Sequence, residues 1–362
     1  MAIDIRNFVN ININRNVQLT LDGSRPVVRL YSTTFEGTLI GCNSDYTEFY
    51  TSTDSTTAAN ITDAKDKQFA KVFFANGGCK LMMIKDALPT NADSLAKIPD
   101  EHIILATEAD MTSDQIKTFA EVLSTLKGIH QKIFVNRITT APTTESSFIV
   151  SKYSNIEGSE MAIAAYFSQI KFYENGSPVD YDFTKENITD ADGKHDTLGK
   201  NLTFTDPDTL IKNAFNFEMQ VGEDYYNIGG NSTDGQDAVE QLGIIIMQQD
   251  LTTSVFKTLA SKVYGQKGIA AIRTAMSEVL DNFVSSNFLI TNQIWTKSDL
   301  VLPNKVDSNK PNETVITKNT PLSTGYIIHM FRLSTNLRKV YAAIVVATNK
   351  GIRYVEVDGK AI

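Results

Sequence analysis

Few residues in this chain sit at a spacing that chemistry needs. One acidic run is TDADGKHD, in which Asp190, Asp192, Gly193 and Asp196 resemble the opening of a calcium loop. Such a loop closes its coordination shell with an acidic residue at its twelfth place, which counted from Asp190 is Asn201. A surface Asp-Gly turn is the expected form, with His195 exposed beside it. His102, His130 and His329 have no carboxylate or cysteine at ligand spacing, so satisfied or solvated imidazoles are expected. Glu223 and Asp224 are adjacent carboxylates of the kind that can divide acid and base roles, but ahead of YYNIGG they read as a solvated loop. The NGG at 76–78 could cradle a phosphate, yet it joins a helix to a strand, the reverse of the dinucleotide-binding order, and a helix-ending turn is expected. Cys42 and Cys79 form no CxxC pair, which argues against zinc sites and disulfide frameworks and leaves two buried thiols. GxGxxG, GxxxxGK[ST] and GxSxG are absent. No nucleophile, base and orienting group assemble, so no catalytic residue, cofactor or metal is assigned.

One cationic group stands apart. Lys257, Lys262, Lys267 and Arg273 fall on consecutive helical stretches of a chain with 34 Lys and Arg against 42 Asp and Glu, a net charge of −8. They form either a solvated face or a docking face for an acidic partner. The acidic balance and the lack of any dense Lys/Arg run argue against nucleic acid as the partner. No stretch approaches the ~20 apolar residues of a membrane span. The N-terminus carries Asp4 and Arg6 and no apolar leader core, so it does not read as a secretion signal.

The elements that must position these residues follow from periodicity. FVNININRNVQLTL at 8–21 alternates apolar Val9, Ile11, Ile13, Val17, Leu19 and Leu21 with Asn, Gln and Thr. At the ~3.3 Å rise of a strand residue, Val9 to Leu21 reaches about 43 Å, with no turn near it and no obvious partner. Strands are expected at 25–34, in part of 38–50, and at 80–87, 102–110 and 132–140. Helices are expected at 65–74, at 113–128 (capped by Ser113, ended by Gly128) and at 157–175. Strand–helix–strand order of this kind makes crossover units. Residues 179–206 read as an exposed, turn-rich insertion and 208–219 as a helix. Three helices are expected at 236–249, 251–263 and 266–284, the last with an apolar stripe of Ile269, Ile272, Met276, Val279, Leu280 and Phe283. A long polar connection between Trp295 and Pro321 leads to strands at 326–333, 340–348 and 352–362.

GQKGIAAIRTAMSEVLDNFVSSNFLI at 265–290, followed by IWTK and a close ending VEVDGKAI, resembles the C-terminal part of contractile phage tail sheath proteins of the shorter, myovirus type. The alternating N-terminal strand, VVRLYS and FFANGGCKLMMI are similar to their N-terminal part. The resemblance lies over 235–362 and extends to 1–85; the middle corresponds to their most variable, outward-facing region. It implies that the N-terminal arm leaves its own subunit and pairs, with a neighbour's C-terminal arm, on a third subunit's sheet. Val9, Ile11, Ile13, Val17, Leu19, Leu21, Tyr354, Val355 and Val357 would then be inter-subunit strand residues, and Lys257, Lys262, Lys267 and Arg273 would face an acidic tube. It further implies a virion component made in the host cytoplasm. Its partners would be copies of itself in stacked hexameric rings, the tail tube, and the baseplate and terminator or neck proteins.

An α/β or α+β fold with mixed sheets flanked by helices and extended β arms at both ends is therefore expected. It would have an inner body of 1–22 with 230–362 and an outer body of 23–229. Two other functions stay open: a tail tube or other non-contractile virion protein, disfavoured by length and by the helical block at 236–289, and a soluble α/β enzyme with an unrecognised site.

Overall fold

The computed structural model describes residues 26–51, 58–126, 128–140, 144–172, 181–196, 215–261, 265–302, 311–331 and 341–349. Strands β1 (Val28–Ser32), β2 (Gly37–Leu39), β5 (Leu81–Lys85), β6 (Ile104–Thr107), β7 (Ile133–Ile138), β8 (Ile149–Tyr153), β9 (Asn216–Val221) and β10 (Asp224–Ile228) build one eight-stranded sheet. Its order is β10-β9-β8-β7-β6-β1-β5-β2. The six strands from β9 to β5 run parallel, and the edge strands β10 and β2 run antiparallel to their neighbours. Between β2 and β5 lies a short ribbon, β3 (Gly41–Cys42) with β4 (Phe49–Tyr50).

Both faces of the sheet are covered, and alternation within each strand assigns the residues. Leu30, Ile104, Ala106, Ile133, Val135 and Val150 enter one core, under helices α1 (Ala64–Ala75) and α4 (Glu160–Gln169). Tyr31, Leu105, Phe134 and Ile149, one position over, enter the other, under α2 (Ala92–Leu95) and α3 (Ser113–Thr125). This is the two-residue period of a pleated strand. It explains why β6 is apolar at nearly every position: both its faces are inside.

Beyond the sheet, α5 (Ala238–Ala260) and α6 (Gly265–Ser285) pack together and extend the first core through Leu242, Ile245, Leu280 and Phe283. Gln249 of α5 donates to the carbonyls of Ile129 (2.9 Å) and Asp100 (3.2 Å), tying the helix pair to the loops of the sheet. Gly243 lies where a Cβ would stand 2.3 Å from the Phe288 ring, so only a hydrogen fits. Two further ribbons, β11 (Gln293–Ile294) with β14 (Pro321–Leu322) and β12 (Leu300–Leu302) with β13 (Glu313–Ile316), share a small third core with Val345. β15 (Tyr326–Phe331) and β16 (Tyr341–Val346) form the final hairpin.

Several expectations are corrected. The helices expected at 236–249 and 251–263 are one helix of 23 residues. Thr252 and Thr258 return their hydroxyls to the carbonyls of Gln248 (2.7 Å) and Ser254 (3.0 Å), so these polar residues are satisfied within the helix and do not end it. Residues 216–219 are strand, because Phe217 and Met219 alternate into a hairpin turned at Gly222 (φ 66°). The cap of α3 is Thr112, not Ser113: its hydroxyl accepts from Gln115 N while Gln115 Oε1 accepts from Thr112 N. That helix ends at Thr125, before Gly128, and α4 is shorter than its apolar run. The segment 181–196 is no exposed insertion, since Tyr181, Glu186 and Ile188 are buried. The polar connection before Pro321 holds β12 and β13.

Candidate functional site

Val9, Ile11, Ile13, Val17, Leu19, Leu21, Tyr354, Val355 and Val357, expected as inter-subunit strand residues, and Lys262 of the cationic set lie outside the described residues. The β15–β16 hairpin runs in register from Tyr326↔Val346 to Phe331↔Tyr341. On the outer rim of β15, Arg273 Nη2 donates to Ile328 O (3.3 Å) and Thr324 Oγ1 to Tyr326 O (2.8 Å). The chain leaving β16 is stitched to the segment after α6: Ile290 N donates to Ala347 O (2.8 Å) and Asn349 N to Phe288 O (2.8 Å). The outer rim of β16 has no strand partner among the described residues.

Lys257, in the last turn of α5, and Lys267, in the first turns of α6, are exposed. Arg273 is exposed too, but its guanidinium is fixed on β15, so it braces the hairpin as well as adding charge. The stripe of α6 faces the core as its spacing requires, with Ile272, Met276, Val279, Leu280 and Phe283 buried; Ile269 lies half-buried at its margin.

The residues considered for catalysis fall into ordinary roles. In TDADGKHD, Asp190 Oδ1 accepts from Asp192 N (2.9 Å) and Lys194 N (2.8 Å), and Gly193 takes φ 77°: an Asx turn. Asn76 of NGG ends α1 and is bound to the backbone of Asn187 through both amide atoms (2.8 and 3.1 Å). Asp224, at the start of β10, pairs with Lys185 on the segment alongside that strand (2.6 Å), and that partner holds its carboxyl below the usual range. Cys42 is half-buried and Cys79 exposed, which corrects the expectation of two buried thiols. His195 is not simply exposed: it stacks on Tyr225 (3.5 Å) and meets Glu218 at 3.1 Å. His130 meets Asp100 at 3.3 Å and His329 meets Glu313 at 2.9 Å, acids that only folding brings near. Among the described residues no three His, Cys, Asp or Glu are grouped to hold a metal ion, and no helix is long and apolar enough to cross a membrane.

Two buried polar clusters were invisible in the sequence. Lys152 of β8, fully buried, donates to Glu186 (2.5 Å) and Asn227 (2.8 Å), while Tyr181 also donates to Glu186. Asp66 and Glu108 meet at the carboxyl ends of β1 and β6. No motif marks either, since their members lie from five to 75 residues apart.

No protein-family profile matches the sequence, and no curated protein does. Solved structures do. A chain of the anti-feeding prophage baseplate, determined by cryo-electron microscopy with six-fold symmetry, superposes with a TM-score of 0.57 at 14% identity over 97% of this chain and 98% of that one. The anti-feeding prophage helical sheath in its contracted state gives 0.56 at 12% identity, over 97% and 98%. A sheath tail protein of Desulfitobacterium hafniense gives 0.52 at 9% identity, over 93% and 100%. This is the contractile-sheath fold. The sheath fold spans almost the whole chain, the large sheet and the α5–α6 block included, and not one module of it. Identities of 9–14% carry architecture and no residue roles.

Proposed function

We propose that the chain is the structural subunit of a contractile sheath, without catalytic function, that polymerises helically around an inner tube. The observation that carries this is the end-to-end likeness to a contracted helical sheath, over 97% of this chain and 98% of that one. Subunits stack as hexameric rings, and each contributes its terminal segments to its neighbours as added strands. Strand addition satisfies backbone N–H and C=O groups between chains. The alternating segment 8–21 suits that use, and the outer rim of β16 offers an edge to receive it. A heterologous contact that does not close yields a helical array. The inner body comprises 1–22 and 230–362, and the outer body, 23–229, contains the eight-stranded sheet. Contraction is a change between two packings of the same bodies, with the arms keeping neighbours joined, and drives the tube through a host envelope to deliver a genome. The particle carrying it is a virion tail or a related headless device, with baseplate, tube and terminator proteins as partners.

Removing residues 1–20 is expected to abolish long polymers while leaving a folded monomer, checked by negative-stain microscopy beside light scattering and circular dichroism. Long sheaths from the truncated chain overturn the arm assignment. Lys257, Lys262, Lys267 and Arg273 are assigned to docking on an acidic tube. Reversing the charge of Lys257 and Lys267 together is expected to weaken co-sedimentation with tubes at least tenfold at low salt, and the defect should shrink as salt screens it. Unchanged binding removes these residues from the tube interface.

A further inference from the structure

The order of the parallel strands reverses at β1, which lies between β5 and β6. Open α/β sheets leave a crevice at the carboxyl ends of such a reversal, and many hold a ligand there. In this chain the crevice is occupied from within. Ser32 ends β1, and Thr33 and Thr34 follow. Asp66, in the first turn of α1 and fully buried, accepts from Ser32 Oγ (2.5 Å) and from Thr34 Oγ1. Glu108, just past β6 and 2% exposed, accepts from Thr33 N (3.0 Å) and Thr33 Oγ1 (3.4 Å). The remaining Glu108 oxygen, Oε1, is buried with no hydrogen-bond donor among the described residues, and it is the Asp66 carboxyl that neighbours it.

The charged groups around this pair are Asp63 and Lys65 on α1, Asp110 beyond β6, Arg137 on β7, and Glu157 and Glu160 at the start of α4. Both cations are already engaged, Lys65 with Glu157 (2.6 Å) and Arg137 with Asp110 (3.1 Å). Neither Asp66 nor Glu108 has a cation at ion-pair distance among the described residues. Two neighbouring buried carboxyl groups cannot both be ionised without one, so the pair retains a proton.

We infer that Asp66 and Glu108 form a one-proton site that fastens helix α1 to the carboxyl ends of β1 and β6, and that withdrawing the proton unfastens them. The inference concerns the folded subunit and stands whether or not the chain forms sheaths. Its direction follows from linkage. Burial, and then the Asp66 carboxyl, push Glu108 up to about 8. Above the unfolded-state value of about 4.3 the folded state holds one proton that the unfolded state has lost. The stabilisation is full below that value and is lost as pH rises through 8. From this pair alone, the unfolding equilibrium constant rises about tenfold per pH unit between roughly pH 5 and 8, then levels.

The test is urea unfolding of the full chain from pH 5 to 9, wild type against Glu108→Gln, whose amide can donate to Asp66 and has no proton to lose. Glu160→Gln serves as a control, since burial lifts Glu160 to about 7 and its loss removes a separate dependence. The expected result is that Glu108→Gln lacks one tenfold-per-unit dependence and gains on wild type steadily as pH rises. Wild-type and Glu108→Gln curves that run parallel across the range overturn the inference. Should Glu108→Gln not fold, the carboxyl-carbon resonance of Glu108 in the labelled wild-type chain decides: titration near pH 8 upholds the shared proton, and titration below pH 5 overturns it.

Discussion

Replacing Lys152 by Met lowers the unfolding free energy by about 3–5 kcal/mol at neutral pH, the cost of leaving a buried charge without its partner. The ammonium of Lys152 lies in the middle of the sheet with no exposure, bound to Glu186 Oε2 and Asn227 Oδ1 and 5.8 Å from the Tyr181 ring. Methionine keeps the length and loses the charge. Glu186, 4% exposed, then shares its pocket with Glu218, which burial and the Glu186 charge already push up to about 8 and which Lys152 restrains. Loss of the cation therefore strains two acids. A double variant, Lys152→Met with Glu186→Leu, recovers part of the loss, because removing both charges abolishes the desolvation cost of each. Urea unfolding of the wild type, both single variants and the double variant measures this. A loss under about 1 kcal/mol for Lys152→Met would show that water reaches Glu186.

Truncating Phe283 to Ala costs a comparable amount, about 3–5 kcal/mol, by opening a cavity in a core that cannot collapse around it. Phe283 is fully buried on α6, with ring centres 6.4 Å from Phe172 and 5.7 Å from Phe288; those two rings meet edge to face at 5.2 Å. Phe172 follows α4, which packs on the large sheet, so the three rings join the helix pair to the sheet. One continuous core implies one cooperative transition, and the loss is expected in that single transition for tryptophan fluorescence and far-ultraviolet dichroism alike. Non-coincident transitions in the variant would mean that the α5–α6 block and the sheet unfold separately. Trp295, beside the third core, is the only tryptophan and reports from the C-terminal side.

The fold was legible where a single element carries its own signal. β1, β5, β6 and β7 are short apolar runs between polar turns, and α6 has a clean stripe bounded by glycine, so their positions follow from period and punctuation. The sequence failed where an element depends on its neighbours. β8 is a strand containing Ser151 and Lys152, polar residues that are tolerated only because Asn136 and Glu186 face them from elsewhere in the chain. β9 resembles a helix until its pairing with β10 is known. The apolar run of α5 carries Gln and Asp near its middle and reads as two helices, yet no glycine or proline interrupts it there. The fold family was legible in a resemblance, carried by the alternation at 8–21 and the sequence at 265–290, while the two buried acid clusters had no linear signal at all. Charge spacing singled out Lys257 and Lys267, both exposed, but gave no hint that Arg273 would donate to a strand carbonyl.

The rims of the eight-stranded sheet have a consequence for handling such a chain at high concentration. β10 is overlaid by 183–186, through Phe183 N to Asn227 O, Asn227 N to Thr184 O and Glu186 N to Tyr225 O (each 2.8 Å), and β2, at the opposite rim, is three residues long. Blunted rims do not template stray strands. Among the described strands the longest rims without a strand partner are those of the six-residue β15 and β16, and on β15 two carbonyls are already engaged by side chains, so two copies colliding at random have little to zip together. Stray edge-to-edge pairing between copies of the folded chain is thereby confined to the β15–β16 ribbon.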